Sequence, residues 1–514
     1  MKLETWVYNF LGAVTVVLGS FAICATAQAE TLRVVEYNID CSDQGNNNNI
    51  TGSSAGIPGI IQAIGNHHIG SNAQPVDVLA LTEMLDTNNN SITSSTLPAL
   101  VNALNAVYGA GYYAYDNTPD PTSGGTQFNG PSGLIYNTHT VQVVPGSEKA
   151  LAYSGDSSNS VARAPMRYTL QPVGYGSNAD FYLYVSHYKA DSGSSNETRR
   201  NQEAMEIRQD ADALGPNAHI IYTGDYNLAA GSSEPSYATL TAAGNGKAYD
   251  PTAASTSYIS TFANSSSSWK YLYSESTTSL DARFDMQLVS GAVLNQPGLQ
   301  LAPDTSDPFA NNFPSSQYPY AYEIFGNNNT TALNGSTNVS GNTSLSDLSN
   351  ASTIKADLMQ PSGSDHLPVV ADYDLVGVSP LQIAGDFNQD GHVDAADVLA
   401  MEQALTNLPA YQTANGLTNS QLLTIGDING DGVVNNADLQ ALLNVLQSGG
   451  GSADPVPEPA SLALLTIGAC MFWPRARMPS CFRWLRANAL RRTYFAPERF
   501  QIQLPSDTAR TDKQ

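Results

Sequence analysis

Short apolar runs separated by polar turns occupy most of the chain from Leu32 to Tyr373, and most of them read as strands. They are Leu32–Cys41, Val76–Thr82, Gly133–Tyr136, Thr140–Val144, Arg167–Leu170, Phe181–Ala190, Ile220–Leu228, Ala282–Val289 and the run that follows the polar turn Gly363–Asp365. One stretch carries a helical period: Glu197–Leu214 places Ala204, Ile207, Ala211 and Leu214 on one face and leads directly into the run at Ile220. Strand, helix, strand alternation with many direct strand-to-strand steps predicts a layered α/β domain with mixed sheets. Residues 295–355 are rich in Asn, Ser, Thr and Pro, which predicts a long surface insertion outside the core.

Polar residues are concentrated where these runs end. Asn38 and Asp40 lie two apart at the first exit, Glu83 closes the second strand, His187 stands at the exit of a third, and Asp285 interrupts an apolar run. In Ile220–Leu228 the glycine at 224 is followed by Asp225 and Asn227. Two apart on extended chain, these side chains point the same way and can converge on one atom. A hard cation such as Mg2+ wants carboxylate and amide oxygens gathered from different strand ends. Each feature alone has a plain structural reading: Gly-Asp-x-Asn is a common turn, a lone histidine is commonly a satisfied polar residue, and a glutamate can simply end a strand.

Taken together, Tyr37-Asn38-Ile39-Asp40, Leu81-Thr82-Glu83, Ser186-His187, Gly224-Asp225-Tyr226-Asn227, Arg283-Phe284-Asp285 and Ser364-Asp365-His366-Leu367-Pro368-Val369 resemble, in order, the motifs of the endonuclease/exonuclease/phosphatase superfamily, the DNase I-like fold. The resemblance covers roughly residues 31–377. It departs at Thr82, where glutamine is usual, and at Phe284, where an aliphatic residue is usual. It implies a four-layer α/β sandwich of two mixed sheets flanked by helices, with the site at one rim. It also implies Glu83 as the main Mg2+ or Mn2+ ligand with Asn38, Asp40 and Asp365 beside the metal. Asp225 and Asn227 would activate water and hold phosphate; Arg163, from a basic stretch of the chain and not from these motifs, is also expected to face the phosphate. His366 paired with Asp285, together with His187, would handle protons and stabilise the charged phosphorane.

Beyond Pro380 the pattern changes. Asp386, Asn388, Asp390, Asp394 and Asp397 stand at positions 1, 3, 5, 9 and 12 of a loop with Gly391 at position 6 and His392 at 7, followed by an apolar helix, which is the arrangement of a calcium loop. It recurs as Asp427, Asn429, Asp431, Asn435 and Asp438, with Gly432 and Val433 at positions 6 and 7. Two such loops ending in Asp resemble the dockerin module, a small all-α, EF-hand-like unit. The resemblance assigns residues 380–447 to it, with two Ca2+ sites and a cohesin-like protein partner. A calcium-stabilised spacer without a partner is the alternative.

A flexible linker, 448–455, precedes Val456-Pro457-Glu458-Pro459 and the apolar run Ala460–Trp473. Segment 456–477 resembles a PEP-CTERM sorting signal, which implies transient membrane contact, and 478–514 is a basic tail of unknown role. At the other end, Lys2, the apolar run Leu11–Ala25 and Ala27-Gln28-Ala29 resemble a bacterial secretory signal, 1–29, and place the protein outside the cell or on its surface. Removing it leaves Cys41, Cys470 and Cys481, too few for a disulfide framework.

The chain of 514 residues carries 46 acids against 22 bases, a formal charge of −24. Arg163, Arg167, Lys189, Arg199, Arg200 and Arg208 form a basic stretch where an anionic substrate would meet positive charge. Three readings remain open: a secreted metal-dependent phosphodiesterase, first of all a nuclease, which that basic stretch favours; a phospholipid phosphodiesterase of sphingomyelinase type, or a phosphomonoesterase, on the same site; and a non-catalytic surface or scaffold protein.

Overall fold

The computed structural model describes residues 31–41, 56–69, 72–84, 96–118, 120, 131–151, 161–252, 272–275, 280, 282–304, 320–327, 345–359, 363–415 and 417–448. The signal segment 1–29, the linker beyond Ser448, the sorting segment 456–477 and the basic tail 478–514 lie outside the described residues.

In chain order the strands are β1 (Thr31–Asn38), β2 (Val78–Thr82), β3 (Tyr113–Tyr115), β4 (Gly133–Asn137), β5 (Val141–Val143), β6 (Lys149–Ala150) and β7 (Met166–Pro172). They continue as β8 (Phe181–His187), β9 (Ile220–Asp225), β10 (Ala248–Tyr249), β11 (Asp285–Ser290), β12 (Gly298–Leu301), β13 (Tyr322–Ile324) and β14 (Val369–Val376). One sheet runs β12-β14-β1-β2-β4-β3, with β13 also against β14; the other runs β10-β11-β9-β8-β7-β5, with β6 also against β7. Among the described pairings, β1–β2 and β8–β9 are parallel and the rest antiparallel, so both sheets are mixed.

The sheets stack face to face, with β1 and β2 meeting β8, β9 and β11. Strands buried on both faces are nearly continuous apolar runs, and the polar residues inside them need partners. Gln287 is one such residue. Its Nε2 donates to Val34 O and Val369 O at 2.9 Å each and its Oε1 accepts from Tyr373 OH at 3.0 Å, stapling the second sheet to the first.

Helices close the outer faces. The helices α1 (Ile57–Asn66) and α2 (Thr96–Tyr108) bury Ile57, Ile60, Ile61 and Ile64, and Leu97, Leu100, Val101 and Leu104, in the core of the first sheet. The helices α3 (Ser194–Leu214) and α4 (Pro235–Thr241) pack Ala204, Ile207, Ala211, Tyr237 and Leu240 with Tyr184, Tyr222 and Leu288 of the second. The result is the expected four-layer sandwich of two mixed sheets flanked by helices.

Of the surface insertion expected over 295–355, residues 305–319 and 328–344 lie outside the described residues, and the described ones depart from the expectation. After the one-turn helix α5 (Gly291–Asn295), β12 and β13 both pair with β14, and Leu299, Leu301, Tyr322, Ile324, Phe325 and Leu345 are core residues. So is Ile354 of α6 (Ala351–Asp357). Strands of four and three residues set in polar sequence leave no sustained alternation to read.

Arg33 of β1 ties the first sheet to α1. All five of its N–H groups are used: Nε and Nη2 on Asp372 at 2.8 and 2.9 Å, and the others on the carbonyls of Ile64, His67 and Asn72. Two of those carbonyls belong to the end of α1, where backbone acceptors lack helical partners. His67, next in line, places Nδ1 2.8 Å from Asp347 Oδ1 and Nε2 3.0 Å from Glu323 Oε1. Burial alone lowers its pKa, but the two carboxylates outweigh burial and push it up to about 9. A histidine pKa raised on folding contributes stability that is complete below its ordinary value of 6.5 and is lost as pH rises through about 9. Thermal unfolding of the wild type is therefore expected to weaken between pH 6.5 and 9.5 by on the order of 3 kcal/mol more than that of His67→Gln. Parallel slopes for the two proteins would show that this clasp is not charged in the folded state.

The C-terminal module contains α7 (Ala395–Thr406), α8 (Leu408–Ala414), α9 (Asn419–Gly426) and α10 (Asn436–Gln447) around Phe387, Val393, Met401, Ile425 and Leu442. Its two loops are built alike. Asp386 accepts from the backbone N–H of Asp390 and Gly391, and Asp427 from those of Asp431 and Gly432. Asp397 accepts from Asn388 and Asp394, and Asp438 from Asn429 and Asn435. Asp394 and Asn435 cap α7 and α10 at equivalent positions.

Candidate active site

The chemistry-bearing side chains meet at one rim, where β1, β2, β8 and β9 end and β11 begins. The backbone turns sharply there: Asp40, Glu83 and Asn227, just past the ends of β1, β2 and β9, have φ of 45°, 53° and 49°, the left-handed region that non-glycine residues avoid at a cost of roughly 1–2 kcal/mol. Such strain persists only where the surroundings over-determine it, as at functional sites. Gly224 is required by close approach, since a Cβ there would sit 2.0 Å from Ser186 O of the neighbouring strand. Its absence lets β9 lie against β8 and deliver Asp225 beside His187, its register partner.

Asn38 donates from Nδ2 to Glu83 Oε1 at 3.1 Å and to Asp225 Oδ2 at 3.2 Å, joining the ends of three strands from both sheets. His187 Nε2 lies 3.3 Å from the same glutamate oxygen and 3.5 Å from the same aspartate oxygen. One atom each of Glu83, His187 and Asp225 falls within a 4.8 Å cluster, and so does one each of Asp225, Asp285 and His366. His366 Nδ1 lies 2.7 Å from Asp285 Oδ2, which also accepts from Ser274 Oγ at 2.6 Å. The other ring nitrogen, Nε2, is 4.0 Å from Asp225 and 3.8 Å from Asp365.

The electrostatics separate the two histidines. Burial, then the positive charges of Arg163, His366 and Lys189, hold His187 well below the usual imidazole range, so it is neutral. Burial opposes charge on His366 too, but Asp285, Asp365 and Asp225 outweigh it and raise its pKa well above the usual range. Environments that push two titratable groups apart mark separate proton roles. Burial also raises Glu83, and it pushes Asp225 up to about 7. Burial is the leading cause in both cases and outweighs the lowering by nearby positive charge, and the oxygen-bearing groups of Glu83, Asn38 and Asp225 gathered there fit a divalent cation.

Not every expected residue joins the cluster. Asp40 and Asp365 offer no atom to either 4.8 Å group. Asn227 uses Nδ2 on Asp225 Oδ2 at 3.0 Å and Tyr188 O at 3.1 Å, so here it orients Asp225 instead of reaching outward for phosphate. Arg163, 6% exposed, gives Nη1 to Tyr188 O at 2.8 Å and acts on the site as a buried charge. The basic stretch around it is largely engaged inside the protein. Arg200 forms a fully buried pair with Glu234, Arg167 pairs with Asp210, and Arg208 binds three backbone carbonyls and Asp212. It is not the open cationic surface that the sequence suggested for a polyanion.

Three supporting residues carry little sequence signal. Ser274 orients Asp285; Glu203, buried on α3, accepts from the backbone N–H of Ala162, Arg163 and Lys189. Glu36 of β1 is fully buried, neither carboxyl oxygen has a hydrogen-bond partner, and burial, then Asp285 and Asp225, raise its pKa well above the usual carboxylate range. Only an acid inside an apolar run and a glutamate on a helix's buried face could have flagged Glu36 and Glu203.

Residues 384–453 match the family model described as the Dockerin type I domain. The C-terminal segment is a dockerin module. Its carboxylates fit calcium: burial, then Asp397 and Asp390, push Asp386 up to about 7, and burial pushes Asp397 up to about 6. Removing calcium, or making Asp386→Ala with Asp427→Ala, is expected to abolish the dockerin's calorimetric unfolding transition while leaving that of the sandwich in place. Transitions identical with and without calcium would contradict two-loop binding.

Solved structures similar to the chain include a Bacteroides thetaiotaomicron endonuclease/exonuclease/phosphatase family protein (14% identity, 67% of this chain and 97% of that one, TM-score 0.39). Others are the human Nocturnin catalytic domain with bound sulfate (16%, 68% and 95%, 0.37) and humanized D. rerio TDP2 (14%, 67% and 100%, 0.37). No curated protein matches the chain. At TM-scores below 0.5 these similarities add nothing to the functional assignment, which rests on the side chains beside the dockerin.

Proposed function

We propose that residues 31–377 are a metal-dependent phosphodiester hydrolase, with nucleic acid as the first substrate to test. The observation that supports this reading is the joining of strand ends from both sheets into one cluster, in which Asn38 bridges Glu83 and Asp225 and the Nε2 atoms of His187 and His366 lie 3.5 and 4.0 Å from the same Asp225 oxygen. Glu83 with Asn38, flanked by Asp40 and Asp365, would hold Mg2+ or Mn2+, which when bound supplies charge neutralisation on the non-bridging phosphoryl oxygens.

The other steps belong to the chain itself. Asp225, held by Asn38 and Asn227, accepts a hydrogen bond from the attacking water and fixes its approach. His366, fixed by Asp285 through Nδ1, presents Nε2–H to an oxygen gaining negative charge. Neutral His187 accepts or relays a proton.

The internal pairing of Arg167, Arg200 and Arg208 removes one argument for an extended polyanion over a phospholipid head group or a phosphomonoester. The deciding experiment assays the full chain with Mg2+ against DNA, RNA, sphingomyelin and inositol phosphates. Turnover of DNA or RNA with chelator-sensitive kinetics is the expected result; turnover of sphingomyelin alone would move the substrate to the lipid class, and no turnover of any would remove the enzymatic reading. The dockerin would attach the enzyme to a cohesin-type partner, and the segments at 1–29 and 456–477 suit export and surface sorting. Among the described residues no helix is long and apolar enough to cross a membrane.

A further inference from the structure

The two calcium loops of the dockerin are alike in internal bonding but not in surroundings. In the second, Asn429, Gly430, Asp431, Gly432 and Val433 are exposed, and a Cβ added at Gly432 would meet nothing within 4 Å. In the first, Asn388, Asp390 and Gly391 are half-buried and Asp386 is 2% exposed. Part of that cover comes from the sandwich. A Cβ added at Gly391, the sharp bend at position 6, would lie 2.7 Å from Gly174 N and 3.2 Å from Val173 Cγ1, on the turn that follows β7. Leu381, at the entrance to the module, donates its N–H to Gly174 O at 2.7 Å, and Gly176 leaves room for the Leu381 side chain. Two independent contacts, one at the linker and one at the loop, thus fall on the same turn, Val173–Gly176.

We propose that the first calcium loop is an intramolecular docking surface: its bend at Gly391 seats on the Val173–Gly174 turn of the sandwich, so that loading this loop and docking the two domains form one coupled equilibrium, while the second loop loads independently. The physical basis is that the bend can seat only when its backbone is closed. Closing it crowds the carboxylates of Asp386, Asp390 and Asp397, which calcium relieves. Coupling is reciprocal, so if calcium favours docking, docking tightens calcium binding at that loop by the same factor. The consequence is an enzyme whose site is held in a set orientation to the dockerin, and hence to whatever the dockerin binds.

The glycines at position 6 supply matched variants. Gly391 and Gly432 have nearly identical φ, +83° and +84°, so Ala costs similar backbone strain at both. Only at 391 does it also collide with the sandwich backbone. Amide hydrogen exchange of the full chain at saturating calcium is expected to show Leu381 protected, with protection falling at least about tenfold in Gly391→Ala and on chelation, and unchanged in Gly432→Ala. A second variant touches neither loop: Leu381→Pro removes the donated N–H at an exposed position. Calorimetric titration of the calcium-free full chain with CaCl2 should then show one site weakened about fivefold or more and the other unchanged. Equal Leu381 exchange in all three proteins, or two unaltered calcium affinities in Leu381→Pro, would overturn the proposal.

Discussion

Removing the imidazole in His366→Ala is expected to lower kcat by roughly two to four orders of magnitude with little change in KM, and Asp285→Asn to approach the same loss. The reason lies in the geometry of the pair. Asp285 is fully buried and interrupts an apolar run, where an unpaired carboxylate would be costly; Ser274 and the His366 ring share its Oδ2. The pair fixes the ring so that Nε2–H faces Asp225 and Asp365, where a phosphoryl oxygen would gain charge. Because the carboxylate supports the cationic ring, Asp285→Asn should also move the alkaline loss of activity to lower pH. The double variant should be little worse than His366→Ala, since the two residues act as a unit. Additive losses would show separate roles, and near wild-type turnover in His366→Ala would transfer the proton chemistry to His187.

The second large effect is expected at Glu83. Its side chain is 19% exposed, and one of its oxygens accepts from Asn38 and lies beside His187. Glu83→Gln keeps the shape and removes one formal charge from the donor set. The Mg2+ concentration for half-maximal activity should rise by at least about tenfold, and the maximal rate should fall with it. The substitution also relieves crowding among raised carboxylates, so the folded chain should be no less stable. A variant that lost activity only because it unfolded earlier would assign Glu83 a structural role.

The strand ends were legible because an apolar run that stops on Asn, Glu, His or Asp announces both the strand and its chemistry. Six such stretches in family order put forward Asn38, Glu83, His187, Asp225, Asp285 and His366, with Asp40, Asn227 and Asp365, as candidates, and the structure gathers the side chains of the first six at one rim. A reading led by strands passes over α1, although Ile57, Ile60, Ile61 and Ile64 follow the helical period with a proline in the first turn. Other features have no local signature. Arg200 and Arg167 find Glu234 and Asp210 across 34 and 43 residues of sequence, so a basic stretch that looked open is neutralised by tertiary contact. The inward turn of Asn227 onto Asp225 is equally invisible, because the same Asp-x-Asn spacing serves an outward or an inward amide. Likewise, two calcium loops that share Asp, Asn, Asp, Gly and Asp at positions 1, 3, 5, 6 and 12 do not tell which one is covered.

Hydrolysis of a chromogenic phosphodiester, bis(p-nitrophenyl) phosphate, by the wild type and Glu83→Gln in parallel, each over a Mg2+ titration, tests the central claim most directly. The wild type should release p-nitrophenolate in proportion to bound Mg2+ and stop on chelation, and Glu83→Gln should be slower by roughly a hundredfold or more at the same Mg2+ concentration. Equal rates in the two proteins, or turnover that survives exhaustive chelation, would contradict a metal-dependent phosphodiesterase centred on Glu83.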